Sequence, residues 1–163
     1  MTSVRDIIIV TAILFAVAIA IFIVVKIGHN VNTELLKVDA FNNTATAKAV
    51  IQKADTSLNY SDYLYLAAFI AFFISIVIFG WFIDGSTIMA PIYFFLVILF
   101  TFFGVIFQEV WKDFVLKPEM VSTAAVLPIT NFIVSHLGYF VAVFGLIGII
   151  MMYAKPQATG GTF

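Results

Sequence analysis

Residues 63–107 constrain the fold most, because they hold two apolar runs separated by a very short break. The runs read YLYLAAFIAFFISIVIFGWFI and IMAPIYFFLVILFTFFGVIF, and Asp84 is the only charged residue between their ends. An α-helix needs about 20 apolar residues to cross the hydrocarbon core of a bilayer. The break, DGST at 84–87, is short enough only for a tight turn. The sequence therefore predicts a helical hairpin that enters a membrane and returns.

Composition favours the same class. The chain is 63% hydrophobic and 10% charged, whereas a soluble domain has about 45–50% apolar and about 25% charged residues. A net charge of −1 gives no electrostatic reason to expect a nucleic-acid partner. The absence of cysteine excludes disulfides, thiolate catalysis and cysteine-ligated metal.

The apolar pattern predicts one all-α membrane domain over residues 1–163, with four transmembrane helices. The predicted spans are 7–27, 63–83, 88–107 and 130–153. The first run is longer than the apolar core of a signal peptide, which is about 7–15 residues, so we interpret it as an uncleaved anchor. Polar connectors are predicted at 29–62, with two short helical patterns, and at 108–119. A flexible tail is predicted at 156–163.

Several local signals refine this layout. Ser61 and Asp62 can cap the second span, and Thr44 can cap the second helical pattern of the first connector. In the second connector, Trp111 and Phe114 can sit in the headgroup layer. Residues 121–127 precede Pro128, so they form either a short re-entrant or interfacial piece or the first part of one long kinked helix.

Small residues recur at helical spacing on three spans, and such faces let a neighbouring helix approach closely in lipid. We therefore predict three helix-packing faces. They consist of Ala12, Ala16 and Ala20 on the first span, Ala68, Ala71 and Ser75 on the second, and Ser135, Gly138, Ala142 and Gly145 on the fourth.

The distribution of basic residues predicts the orientation. The two connectors share one side of the membrane and carry five lysines, with Lys26 at the adjoining end of the first span as a sixth, whereas the opposite side carries only Arg5 and Lys155. Because cytoplasmic loops are enriched in lysine and arginine, both connectors are predicted to face the cytoplasm and both termini to face outward.

His136 is the candidate intramembrane polar site, because ionisable residues at membrane depth are costly and often functional. The alternative is a neutral histidine bonded to a backbone carbonyl. His29 is the only other histidine, and its depth differs from that of His136 by about 10 Å at 1.5 Å per residue, which argues against a shared haem. No motif indicates a nucleophile, a metal set or a phosphate loop, so no catalytic residue, metal or cofactor is predicted.

These observations lead to the hypothesis of a non-catalytic structural or accessory subunit of a larger membrane assembly. Two settings suit it: a multi-subunit membrane complex, or the internal membrane of a lipid-containing virion. The expected partners are the lipid bilayer, other membrane or capsid proteins, or further copies of the chain. The alternative is a small homo-oligomeric channel or membrane-permeabilising protein, in which several copies surround a hydrophobic gate.

Overall fold

The computed structural model describes residues 4–82 and 89–154, which form an all-α fold with no strand in those ranges. The all-α prediction is thus confirmed, whereas the predicted turn at 84–87 and tail at 156–163 lie outside the described residues. In chain order the helices are α1 (Val4–Lys37), α2 (Asp39–Asn42), α3 (Ala45–Asn59), α4 (Ser61–Phe82), α5 (Met89–Val115), α6 (Pro118–Val126), α7 (Pro128–Ser135) and α8 (Leu137–Ala154).

Several of these helices have the length and apolar character needed to cross a membrane. Three stretches qualify alone within the described residues: Ala12–Lys37, Ala45–Ser75 and Pro91–Val115. A fourth qualifies if Pro128–Ser135 and Leu137–Met151, which are bent by 67° relative to each other, count as one span. Length and composition therefore agree with an integral membrane protein.

The first polar connector is more helical than the sequence predicted. Helix α1 continues to Lys37, and the Thr33 hydroxyl donates to the His29 carbonyl at 2.8 Å within it. After α2, helix α3 starts behind Thr44 as predicted, although the Thr44 hydroxyl donates to Ala40 and makes no cap bond. Helix α3 then packs back along α1 in the antiparallel direction.

The second connector also differs from the prediction. Helix α5 runs on through most of it to Val115. Pro118 and Pro128 each begin a new helix, which fits a residue without an N–H group. Residues 121–127 thus belong mainly to the separate helix α6, and a second break at His136 divides α7 from α8.

The core lies where α1, α4, α5 and α7 meet. Trp111 is fully buried there and packs edge-on against Phe22 at 5.3 Å, with Tyr65 in the same cluster. The sequence analysis allowed Trp111 to lie in the headgroup layer; the structure shows that Phe22 of α1 covers its side chain, so the protein core and not the headgroups surrounds it.

Helices α5 and α8 pack tightly against each other. A Cβ atom built on Gly104 would lie 3.1 Å from the Gly138 Cα atom, and one on Gly138 would lie 2.7 Å from a Val105 methyl group. One on Gly145 would lie 2.5 Å from a Val97 methyl group. The lack of side chains at these positions therefore sets the distance between the two helices.

Candidate functional site

The N-terminus of α7 is held by a carboxylate from another helix. The first N–H groups of an α-helix have no partner within the helix. Asp62 of α4 supplies the acceptors: its Oδ2 accepts the Ile129 N–H at 2.9 Å, and its Oδ1 accepts the Thr130 N–H at 2.6 Å. Asp62 is only 3% exposed. A negative charge there also interacts favourably with the helix dipole of α7.

The other end of α7 is held from α5. In the amide orientation that satisfies both neighbours, Gln108 donates an N–H to the Ser135 carbonyl at 3.3 Å. Its oxygen then accepts from the Lys112 Nζ at 3.1 Å. Because the last carbonyls of a helix also lack internal partners, this buried amide does at the C-terminus what Asp62 does at the N-terminus.

Two further bonds fix the middle of α7. The Trp111 Nε1–H donates to the Asn131 Oδ1 at 3.0 Å, and the Ser135 hydroxyl donates to the same oxygen at 3.3 Å. We call Asp62, Gln108, Trp111, Asn131 and Ser135 the α7 frame. The α7 frame ties one short helix to α4 and α5 through side chains that are mostly buried.

One polar group inside this region stays unsatisfied. The Thr130 hydroxyl is buried and has no hydrogen-bond partner within the part of the chain that the structure describes, although the N–H of the same residue is bonded to Asp62. The bonds of the α7 frame therefore serve the two ends of α7 and the Asn131 side chain, and leave the Thr130 hydroxyl without a described partner.

His136, the predicted polar site, lies at the corner between α7 and α8. Its side chain is exposed, and its Nδ1 is 2.8 Å from the Phe132 carbonyl oxygen. Because a carbonyl can only accept, the Nδ1 carries the proton. The geometry thus corresponds to the alternative interpretation of a histidine bonded to the backbone, and Ser135 beside it belongs to the α7 frame.

The second histidine takes part in a different contact. His29 of α1 donates from its Nδ1 to the Asp55 carboxylate of α3 at 2.9 Å, and the Asn32 amide lies 3.5 Å from the same oxygen. Among the described residues, no group of three or more histidine, aspartate or glutamate side chains could hold a metal ion.

The predicted small-residue face on α8 lies against α5. Gly138 is buried, and Ala142 and Gly145 are half-buried, on the side that contacts Gly104 and Val97. Ser135 extends this line onto α7.

The other two predicted faces lie largely on the outside of the fold. Ala16, Ala20, Ala68 and Ala71 are exposed, while Ala12 and Ser75 are half-buried. The inner faces of α1 and α4 instead carry Ala18, Phe22, Val25, Tyr65 and Phe69. Contact of the outer faces with a partner helix therefore stays a prediction.

The sequence analysis did not identify Asp62, Gln108 or Trp111 as members of one site. The available signal was Pro128: a proline starts a helix easily, and a new helix start inside an apolar region needs acceptors for its N–H groups. Which residue supplies them depends on how α4 and α5 pack against α7.

The chain matches no protein family model, no curated protein and no solved structure. Function must therefore be argued from the geometry of the chain itself. Within the described residues, the two carboxylate oxygens of Asp62 face backbone N–H groups, and no histidine or second carboxylate bonds to it. The α7 frame is thus arranged to fix the position of the α7 backbone.

Proposed function

We propose that the protein is an integral membrane protein with four spans, α1, α4, α5 and α8. The boundary on the connector side is supported by α5, which carries no charged residue from Met89 to Gln108 and carries Glu109, Lys112 and Asp113 beyond it. Polar and charged residues gather where a helix leaves the hydrocarbon.

The α7 frame supports a position for α7 at this boundary. Gln108 and Trp111, which bond to α7, lie on α5 just where its charged residues begin. Helix α8 has 18 residues, a length of about 27 Å at 1.5 Å per residue, which nearly matches a hydrocarbon core of about 30 Å. In this proposal α8 crosses alone, and α7, bent away by 67°, runs along the bilayer surface.

Within the membrane we propose a non-catalytic role as a structural or accessory subunit of a larger assembly. The observation that supports this proposal is the different use of polar side chains inside the fold and apolar side chains on its surface. The polar groups of the α7 frame are used to fix the chain's own backbone, whereas large apolar side chains such as Leu64, Phe95 and Phe102 are at least 62% exposed on the long helices. Such a surface suits contact with lipid or with other membrane helices.

A second surface favours the binding of a protein partner outside the bilayer. The C-terminal end of α1 forms a helical hairpin together with α2 and α3. We call this hairpin the head (residues 28–59). Val38, Phe41 and Val50 of the head are 41–61% exposed, and an apolar groove of about 390 Å³ lies between Leu35 and Ile51. Apolar side chains beyond the spans have no hydrocarbon to cover them, so a protein surface is the natural partner.

The proposal retains the orientation with outward termini, supported by the five connector lysines and Lys26 against Arg5 and Lys155. It also retains both settings, a multi-subunit membrane complex and the internal membrane of a lipid-containing virion, in which a small polytopic protein ties a capsid to a bilayer.

The test is native mass spectrometry of the protein extracted gently from its own membranes. We expect different proteins bound in fixed ratio. The variant Val50→Ser removes an exposed apolar side chain of the head and should lower partner occupancy, whereas Gln52→Ser, on the same helix and already polar, should not. A closed ring of this chain alone, with conductance after reconstitution, would support the homo-oligomeric channel and overturn the subunit proposal.

A further inference from the structure

Three aromatic rings lie together on the outer side of the corner between α7 and α8. The Phe132 and His136 rings are 4.6 Å apart, and the His136 and Tyr139 rings are 6.3 Å apart. Phe132 is 57% exposed and Tyr139 is 70% exposed. We call these residues the aromatic corner. It is a compact group of rings in which Phe132 and Tyr139 are each more than half exposed.

The hydrogen bond of His136 determines what this corner offers to a ligand. Since the Nδ1 donates to the Phe132 carbonyl, the neutral ring has its lone pair on the Nε2, for which the described residues supply no donor. An imidazole lone pair accepts hydrogen bonds, and aromatic ring faces attract cations. The aromatic corner therefore combines an acceptor atom with electron-rich rings.

The Phe132 ring of the corner packs against aromatic rings of the interior. Phe132 packs edge-on against Phe140 at 6.2 Å, and Phe140 stacks on Phe144 at 5.8 Å. Phe69 of α4 contacts Phe140 at 5.1 Å. An anchored corner loses little conformational freedom when it binds a ligand, which favours binding.

We propose that the aromatic corner is a binding site for the ammonium headgroup of a phospholipid of the phosphatidylethanolamine type. This inference rests on the proposed membrane position of α7, which puts the corner at headgroup level. Charge complementarity carries it: the ring faces and the Nε2 lone pair suit a cation, and a primary ammonium can donate an N–H that a choline headgroup lacks. The buried Asp62 carboxylate, at the other end of α7, already accepts two backbone N–H groups.

The test is native mass spectrometry of the purified chain released from nanodiscs that contain equal amounts of phosphatidylethanolamine, phosphatidylcholine and phosphatidylglycerol. A cation–ring contact of about 0.5–1 kcal/mol, which both cationic headgroups can make, corresponds to about a two- to fivefold preference over phosphatidylglycerol. The N–H donated to the Nε2 adds a preference for phosphatidylethanolamine over phosphatidylcholine. His136→Ala should abolish the preference over phosphatidylcholine, and Tyr139→Ala should lower the preference over phosphatidylglycerol. Tyr139→Phe, which keeps the ring face, should preserve it, as should Phe102→Ala on the exposed side of α5. Unchanged thermal unfolding of all variants confirms that the fold is intact.

The possible results separate this site from the proposed function. Equal retention of the three lipids, or a preference that survives both alanine substitutions, overturns the lipid site and leaves the membrane assignment standing. Equal retention of phosphatidylcholine and phosphatidylethanolamine overturns it too, because the Nε2 acceptor would then have no role. A chain that does not enter nanodiscs overturns both proposals.

Discussion

The carboxylate of Asp62 and the backbone N–H of Thr130 meet at 2.6 Å, although 68 positions separate them in the chain. The contact joins the first turn of α4 to the first turn of α7. Because Asp62 is only 3% exposed, water competes little for the carboxylate, and the position of α7 depends on a side chain from another span.

Asp62→Asn tests the importance of this bond. The amide keeps one oxygen acceptor, but it loses the negative charge and leaves one N–H of α7 facing a donor. We expect the free energy of unfolding to fall by about 1–3 kcal/mol, the cost of an unpaired buried polar group. Denaturant titration in detergent micelles, followed by circular dichroism, measures it. Asp113→Asn, at an exposed carboxylate of α5, is the matched control and should change stability little.

Thr130→Val should behave in the opposite way. Valine keeps the backbone N–H that bonds to Asp62 and has nearly the same shape, while it removes a buried hydroxyl without a described partner. Burying such a hydroxyl costs about 1–3 kcal/mol in proteins. We therefore expect unchanged or increased stability in the same titration. A loss as large as that of Asp62→Asn would show that the hydroxyl makes a stabilising bond.

Gly138→Ala should push α8 away from α5. The added Cβ atom would lie 2.7 Å from a Val105 methyl group and 3.3 Å from the Val105 backbone nitrogen. Overpacking of this kind costs about 1–3 kcal/mol, and the thermal unfolding midpoint should fall. Combining Gly138→Ala with Val105→Ala should recover part of the loss.

Gly28→Ala provides the comparison for that experiment. Its Cβ atom would lie against a Leu58 methyl group, which is the end of a flexible side chain. Leu58 can change rotamer, whereas the backbone of α5 cannot move so easily. An equal or larger loss for Gly28→Ala would contradict this account of the α5–α8 contact.

The burial of Trp111 predicts its fluorescence. In a Trp81→Phe background, emission from Trp111 should be blue-shifted and should resist quenching by acrylamide, since the side chain has 0% exposure. Asn131→Ala removes the acceptor of its Nε1–H bond, which spans 3.0 Å, and should shift the emission. Strong quenching in the protein that retains Asn131 would contradict the burial of Trp111 in the core.

The α-helical class could be predicted from sequence because runs of about 20 apolar residues have few other stable forms in a bilayer. Pro128 likewise indicated a break. The extension of α1 to Lys37 was not predicted, because Thr33 can cap a helix or bond within one, and the packing of α3 against α1 favours the second arrangement.

The α7 frame could not be predicted for a similar reason. Asp62 has the local sequence of a cap for its own helix, and it acts on α7 only because α4 and α7 pack side by side. Periodicity also could not tell which side of α1 would be covered. Phe22 and Val25 face the core, while the regular Ala16 and Ala20 face outward, since large side chains bury more apolar area.

The sequence by itself determined that the chain is helical and that several helices are apolar enough to cross a membrane, because both follow from the length and composition of local runs. The tertiary structure alone decided that Asp62 and Gln108 hold the two ends of α7, that Trp111 is buried, and that the corner at His136 faces outward. The physical reason is that a helix terminus needs hydrogen-bond partners of any origin, and only the packing of distant helices determines which side chains come within reach.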